Sequence, residues 1–125
     1  MNGNPTPYHL SEPLGIDEAR QASRALASQR RGAEANLEQA VKRAAETERD
    51  YRKALAQAFV KYADRGTAAQ REAEARADVA ERSYERDLAA GMTKVCQERL
   101  RGLEGERAQL RALLDLSAKT YGAVA

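Results

Sequence analysis

Lys42, Arg49 and Lys53 fall at i, i+7 and i+11, close to whole turns of an α-helix, and Arg52 stands beside them. Lys61 and Arg65 follow, with Phe59 and Tyr62 among them. Cations interleaved with aromatic rings suit a single-stranded nucleic acid, because the cations neutralise phosphates and the rings stack on bases. The same spacing also describes an ordinary solvated face, with Tyr62 in a helix–helix seam and Phe59 on its flank. The residues alone leave both readings open.

Other chemistries find little support. His9 is the only histidine and has no nucleophile in a recognisable motif. Acids alternate with arginines: Glu38/Lys42, Glu48/Arg52, Glu72/Arg76 and Asp78/Arg82 place acid before base at i,i+4, the favourable order on a solvated helix. Gly102-Leu-Glu-Gly105 lacks the strand and lysine of a phosphate loop. Cys96 is the single cysteine, which rules out a disulfide or a CxxC metal site within one chain, and its spacing reads as a small seam residue. These features predict a non-enzymatic protein with no catalytic residues, no metal and no cofactor. No apolar run is long enough to span a bilayer and no signal-peptide pattern is visible, so the expected location is the cytoplasm, the host's if the chain is viral.

The elements that must carry these residues are helical. Charged residues make up 32% and aromatics 5%, with Ala the commonest type, a composition of long helices or coiled coils. All three prolines lie in residues 1–15, read as an extended N-terminal arm in which Tyr8, Leu10 and Leu14 could dock on a neighbour. Acids at Asp17 and Glu18 open the first helix. A seam then steps by four and three through Leu37, Val41, Ala44, Glu48, Tyr51, Leu55, Ala58 and Tyr62. Gly66 suits a helix terminus, and Thr67 with Gln70 has capping-box spacing, so the chain should reverse at Arg65–Thr67. A second stripe follows through Ala73, Ala77, Ala80, Tyr84, Leu88, Met92, Cys96, Leu100, Leu103, Arg107, Leu110 and Leu114.

The expected fold is all-α. Residues 16–121 form a long antiparallel, coiled-coil-like helical hairpin, and residues 122–125 a tail. Gly32, Gly91 and Gly102 are candidate kinks. The two arms match at about 50 residues, or about 75 Å, each. Reversal at Gly66 sets Tyr51 opposite Ala80, Ala44 opposite Leu88, Leu37 near Val95 and Leu26 at Gly105. An Ala-rich seam buries little area, so self-association through Leu37, Val41, Tyr51, Leu55, Tyr84, Leu88, Met92, Leu103, Leu110 and Leu114 is expected. Charge is uneven: residues 16–66 carry 11 basic and 8 acidic groups, and residues 67–125 carry 10 of each. The basic surplus thus falls on the incoming arm.

The stretch from Arg52 to Gly66, ending Phe59-Val60-Lys61-Tyr62-Ala63-Asp64-Arg65-Gly66 and followed by an acid-rich return helix, resembles small helical-hairpin proteins encoded near recombination genes of tailed phages. More distantly it is similar to the UvsY-type recombination mediators. The likeness is one of pattern, over residues 37–117. It implies an oligomer that binds single-stranded DNA through Lys42, Arg49, Arg52, Lys53, Phe59, Lys61, Tyr62 and Arg65, with a recombinase or a single-strand-binding protein as partner. The mediators carry a Lys-x-Arg pair before their aromatic pair, and Ala56 and Ala58 stand at those positions here. Two other classes compete. One is a structural or adaptor hairpin that works through protein contacts alone. The other is a secreted hairpin substrate of the Trp-Gly-turn type, against which the absence of Trp argues.

Overall fold

The computed structural model describes residues 15–124. The proposed arm, with Tyr8, His9, Leu10 and Leu14, lies outside them. The protein is all-α: α1 spans Ile16–Lys61, α2 Ala68–Asp78 and α3 Ala80–Val124, with no strand among the described residues. The long helices follow from strong helix formers in almost unbroken succession, with acids Asp17 and Glu18 in the first turn of α1 and Lys61 in its last.

Gly66 adopts a left-handed backbone (φ 57°), which non-glycine residues enter at a cost. Thr67 then caps α2. Its hydroxyl accepts from the Gln70 backbone N–H at 3.2 Å, and its own N–H donates to the Gln70 side chain at 2.9 Å. A Cβ on Gly66 would collide with Gln70 Oε1. Gly66→Ala should therefore strain the backbone and break the capping box together, costing about 1–3 kcal/mol. Gly32 and Gly105 sit inside helices, with nothing near a notional Cβ. Gly32→Ala and Gly105→Ala should each gain up to about 1 kcal/mol. Thermal unfolding followed by circular dichroism should move the melting point down for the first variant and up for the other two.

The candidate kinks do not interrupt the helices, since α1 is continuous through Gly32 and α3 through Gly91 and Gly102. Helical preference costs about 1 kcal/mol at each glycine, which the rest of a long helix offsets. The interruption comes at Val79, which caps α2 with φ −108° and ψ 15° and separates it from α3. Val79 is buried, so core packing holds the chain at the break. α3 continues past Tyr121-Gly122 to Val124.

The chain divides into two units. One joins α1 up to Ala33 with the chain from Arg99 onward. It is built on Leu26, Ala33, Leu103 and Leu110, with Ala22, Leu100 and Leu114 packed against them. Leu26 thus packs among Leu103 and Leu110, the apolar residues either side of Gly105.

The other unit is Glu34–Glu98, built on Tyr51, Ala58, Ala75 and Val79, with Ala54, Leu55 and Tyr62 alongside. Within it the Thr93 hydroxyl donates to the Ala40 carbonyl at 3.2 Å, Arg86 approaches Glu48 and Arg76 approaches Tyr51.

The inner positions differ from the expected stripe. Val41, Tyr84, Leu88 and Met92 are exposed, while Ala75, Val79 and Ala89 are buried. Leu88 and Val95, expected opposite Ala44 and near Leu37, are 54% and 59% exposed, and Leu88 borders an open groove with Ala40 and Arg43 of α1. Leu37, Leu55, Leu114 and Cys96 are half-buried. In α1 the buried position is Thr47, not Glu48. The Thr47 hydroxyl shares its hydrogen bond between the carbonyls of Arg43 (3.0 Å) and Ala44 (3.1 Å), so its burial leaves no unsatisfied group. A carboxylate has no such local solution.

Candidate nucleic-acid interface

Lys42, Arg49 and Lys53 lie along one line of α1 in the Glu34–Glu98 unit. Lys53 is two residues beyond buried Tyr51, about 200° around the helix, so the line runs opposite the packed side. Along the axis the three positions are spaced by about 10 and 6 Å. All three are exposed. Among the described residues Arg49 pairs only with its neighbour Asp50, at 3.5 Å. Lys42 and Lys53 make no ion pair among the described residues. The spacing Glu38/Lys42 thus yields no pair, whereas Glu48–Arg52 and Glu72–Arg76 both close at 3.1 Å.

The other candidates are arranged differently. Arg52 is held by Glu48, which also approaches Arg86 at 3.7 Å. Lys61, Tyr62 and Arg65 gather at the turn. Lys61 Nζ lies 5.2 Å and Arg65 Cζ 5.3 Å from the centre of the Tyr62 ring. The Tyr62 hydroxyl donates to Asp78 Oδ1 at 3.4 Å, and Lys61 pairs with Asp78 Oδ2 at 3.6 Å. The hydrogen bond with Tyr62 and then the charge of Asp78 hold the Lys61 ammonium above its ordinary pKa. Tyr62 is half-buried against the core, so this cluster spends its ring and its cations on each other and on Asp78. Phe59 is exposed on the flank of α1, apart from the lysine line. The eight residues thus form a solvent-facing line, a self-satisfied turn cluster and two flanking side chains.

Two features of this unit were not foreseen. Asp78, read as a partner of Arg82, bonds across the turn to Lys61 and Tyr62 instead. Arg86 lies 4.0 Å above the Tyr51 ring, and Arg76 donates to the Tyr51 hydroxyl at 3.4 Å. Burial works against the Arg86 charge. The hydrogen bond and attraction of Asp87, with Tyr51 and Glu48 adding to them, nonetheless hold its pKa above the ordinary value. The only signal for these contacts was the tyrosine itself, whose face attracts guanidinium groups.

The unit containing Leu110 has an open groove of about 470 Å³. Arg30, Arg107 and Arg111 stand around a floor of Leu26, Leu110 and Leu114. Arg107 is exposed at its edge. Among the described residues no group of three or more His, Cys, Asp or Glu is placed to hold a metal, and no helix is long and apolar enough to cross a membrane. Compared with protein-family models, with curated proteins and with solved structures, the chain matches none of them.

Proposed function

We propose that this protein is a non-enzymatic accessory factor of DNA recombination or replication. In this reading it is a long antiparallel helical hairpin that self-associates and binds single-stranded DNA, assisting a recombinase or an annealing protein. The observation that carries the reading is the line of Lys42, Arg49 and Lys53, turned away from the packed side of α1, with its two lysines in no ion pair among the described residues. Three cations per chain bind a strand weakly, and self-association repeats the line so that the contacts add. The turn cluster offers no open stacking platform, because Tyr62 is already committed to Asp78 and to its own cations.

A fluorescently labelled oligonucleotide titrated at low and then rising salt tests this. Binding should appear at low salt and weaken as counterions are no longer released with profit, by about 0.7 of a logarithmic slope unit per phosphate contact. Lys42→Glu, Arg49→Glu and Lys53→Glu combined should lower affinity more than about tenfold and flatten the slope by about two units. Absence of binding at low salt defeats the reading.

A second reading, an adaptor hairpin acting through protein contacts alone, is favoured by the exposed apolar residues of α3. Under it the triple reversal leaves activity intact.

A further inference from the structure

The residues of α3 that do not face the core have an order of their own. Tyr84, Leu88 and Val95 are 61%, 54% and 59% exposed. With Gly91 they step by four, three and four, the alternation of a coiled-coil seam. Gly91 belongs to this outer seam, since a Cβ there would meet nothing within 4 Å. The packed side of α3 lies away from this seam, with buried Ala89 about 100° and Thr93, which bonds the Ala40 carbonyl of α1, about 140° around the helix from Leu88. A single α-helix thus carries one packed side and an exposed seam about 16 Å long, of which Leu88 also borders an open groove with Ala40 and Arg43 of α1.

We infer that this outer seam binds a second copy of the same chain, with the two α3 helices antiparallel about a two-fold axis near Ala89–Ala90. The inference deepens the self-association in the functional reading, and it does not depend on DNA. Size and charge select the arrangement. Antiparallel docking drops Leu88 into the gap left by Gly91 of the second copy and sets Tyr84 against its Val95, so large groups meet small ones. The polar edge then brings Asp87, whose carboxylate also accepts from Arg86 of its own chain at 3.2 Å, beside Lys94 of the second copy, and symmetry repeats the pair. Parallel docking would stack Gly91 on Gly91, leaving an empty layer, and would bring Lys94 toward Arg99 of the second copy. An isologous contact of this kind closes on itself and makes a dimer, not a filament. Two heptads bury less than a standard interface, so association belongs in the micromolar range or weaker.

Sedimentation velocity over a concentration series, up to about 500 µM, tests it. The wild type should pass from monomer to dimer. Leu88→Glu should weaken association more than about tenfold, since burial of two leucines is replaced by two buried charges. Lys94→Asp, which sets an acid against Asp87 of the second copy, should weaken it about two- to tenfold. Asp87 is left in place because it also accepts from Arg86 in its own chain at 3.2 Å. These positions are exposed, so helicity and melting temperature of the monomer should be unaffected, which circular dichroism checks. A wild type that stays monomeric overturns the inference. So does a Leu88→Glu or a Lys94→Asp protein that associates as the wild type does. Loss of oligonucleotide binding with the dimer intact would defeat the DNA reading and leave this interface standing. A wild type that stays monomeric yet binds the oligonucleotide would do the reverse.

Discussion

Tyr51→Ala should destabilise the Glu34–Glu98 unit by about 3 kcal/mol or more, the cost of removing a large buried ring from a core. The ring is 8% exposed and packs with Ala58, Ala75 and Val79. Its neighbours are small, and Ala75 is already 0% exposed, so none of them can reach into the space the ring leaves. Arg86 would also lose the aromatic face 4.0 Å away, a contact worth about 0.5–1 kcal/mol at partly exposed sites. Tyr51→Phe separates packing from polarity. It removes only the hydroxyl and its long 3.4 Å hydrogen bond from Arg76, and should cost less than about 1 kcal/mol. Urea unfolding monitored by helicity should show a large fall in midpoint for Tyr51→Ala and a small one for Tyr51→Phe. Equal falls would mean that the Arg76 contact, and not the packed ring, holds this unit together. A domain's whole stability is about 5–15 kcal/mol, so the first variant should be partly unfolded at modest temperature.

Helix content and the turn were legible in the sequence because they rest on local chemistry. Gly66, Thr67 and Gln70 act within a few residues of one another, and their spacing carries the signal. The phase of the seam was legible in α1 and poorly so in α3. In α1, Tyr51 and Ala58 sit where the four–three alternation puts them, and the slip is one residue, from Thr47 to Glu48. In α3 the larger apolar residues Tyr84 and Leu88 and the small Ala89 lie on different sides of the helix, so the pattern does not say which side is buried. Taking the largest apolar residue at each step then selects Tyr84, Leu88 and Met92, which are exposed, over Ala89, which is buried. Arg86 was not legible as an inner residue, because its half-buried position depends on a tyrosine and a glutamate from α1. Val79 could not be read as a break, since nothing in its neighbourhood is a helix breaker. Of the candidate interface, the lysine line was visible from spacing alone. The commitment of Tyr62 to Asp78 was not, because it pairs residues across the turn.

Leu110→Ala should act on the other unit, at about 2–3 kcal/mol. That lies at the low end for a buried leucine. Leu110 is 3% exposed and clusters with Leu26, Ala33 and Leu103, yet it also borders the open groove beside Arg107 and Arg111. Water can enter from that side, so the substitution widens a wet groove and leaves no dry void, which removes part of the cavity cost. Hydrogen exchange should quicken over residues 16–33 and 99–120 before it changes over 34–98, because the two stretches draw on separate clusters although α1 and α3 run through both. Oligonucleotide affinity should change less than about twofold, since Lys42, Arg49 and Lys53 belong to the unit that keeps its core. Exchange that quickens uniformly along the chain would show that the long helices couple the clusters into one cooperative unit. In that case Tyr51→Ala and Leu110→Ala should lower the same single transition, and the effect of the second variant on DNA binding should track the fraction unfolded.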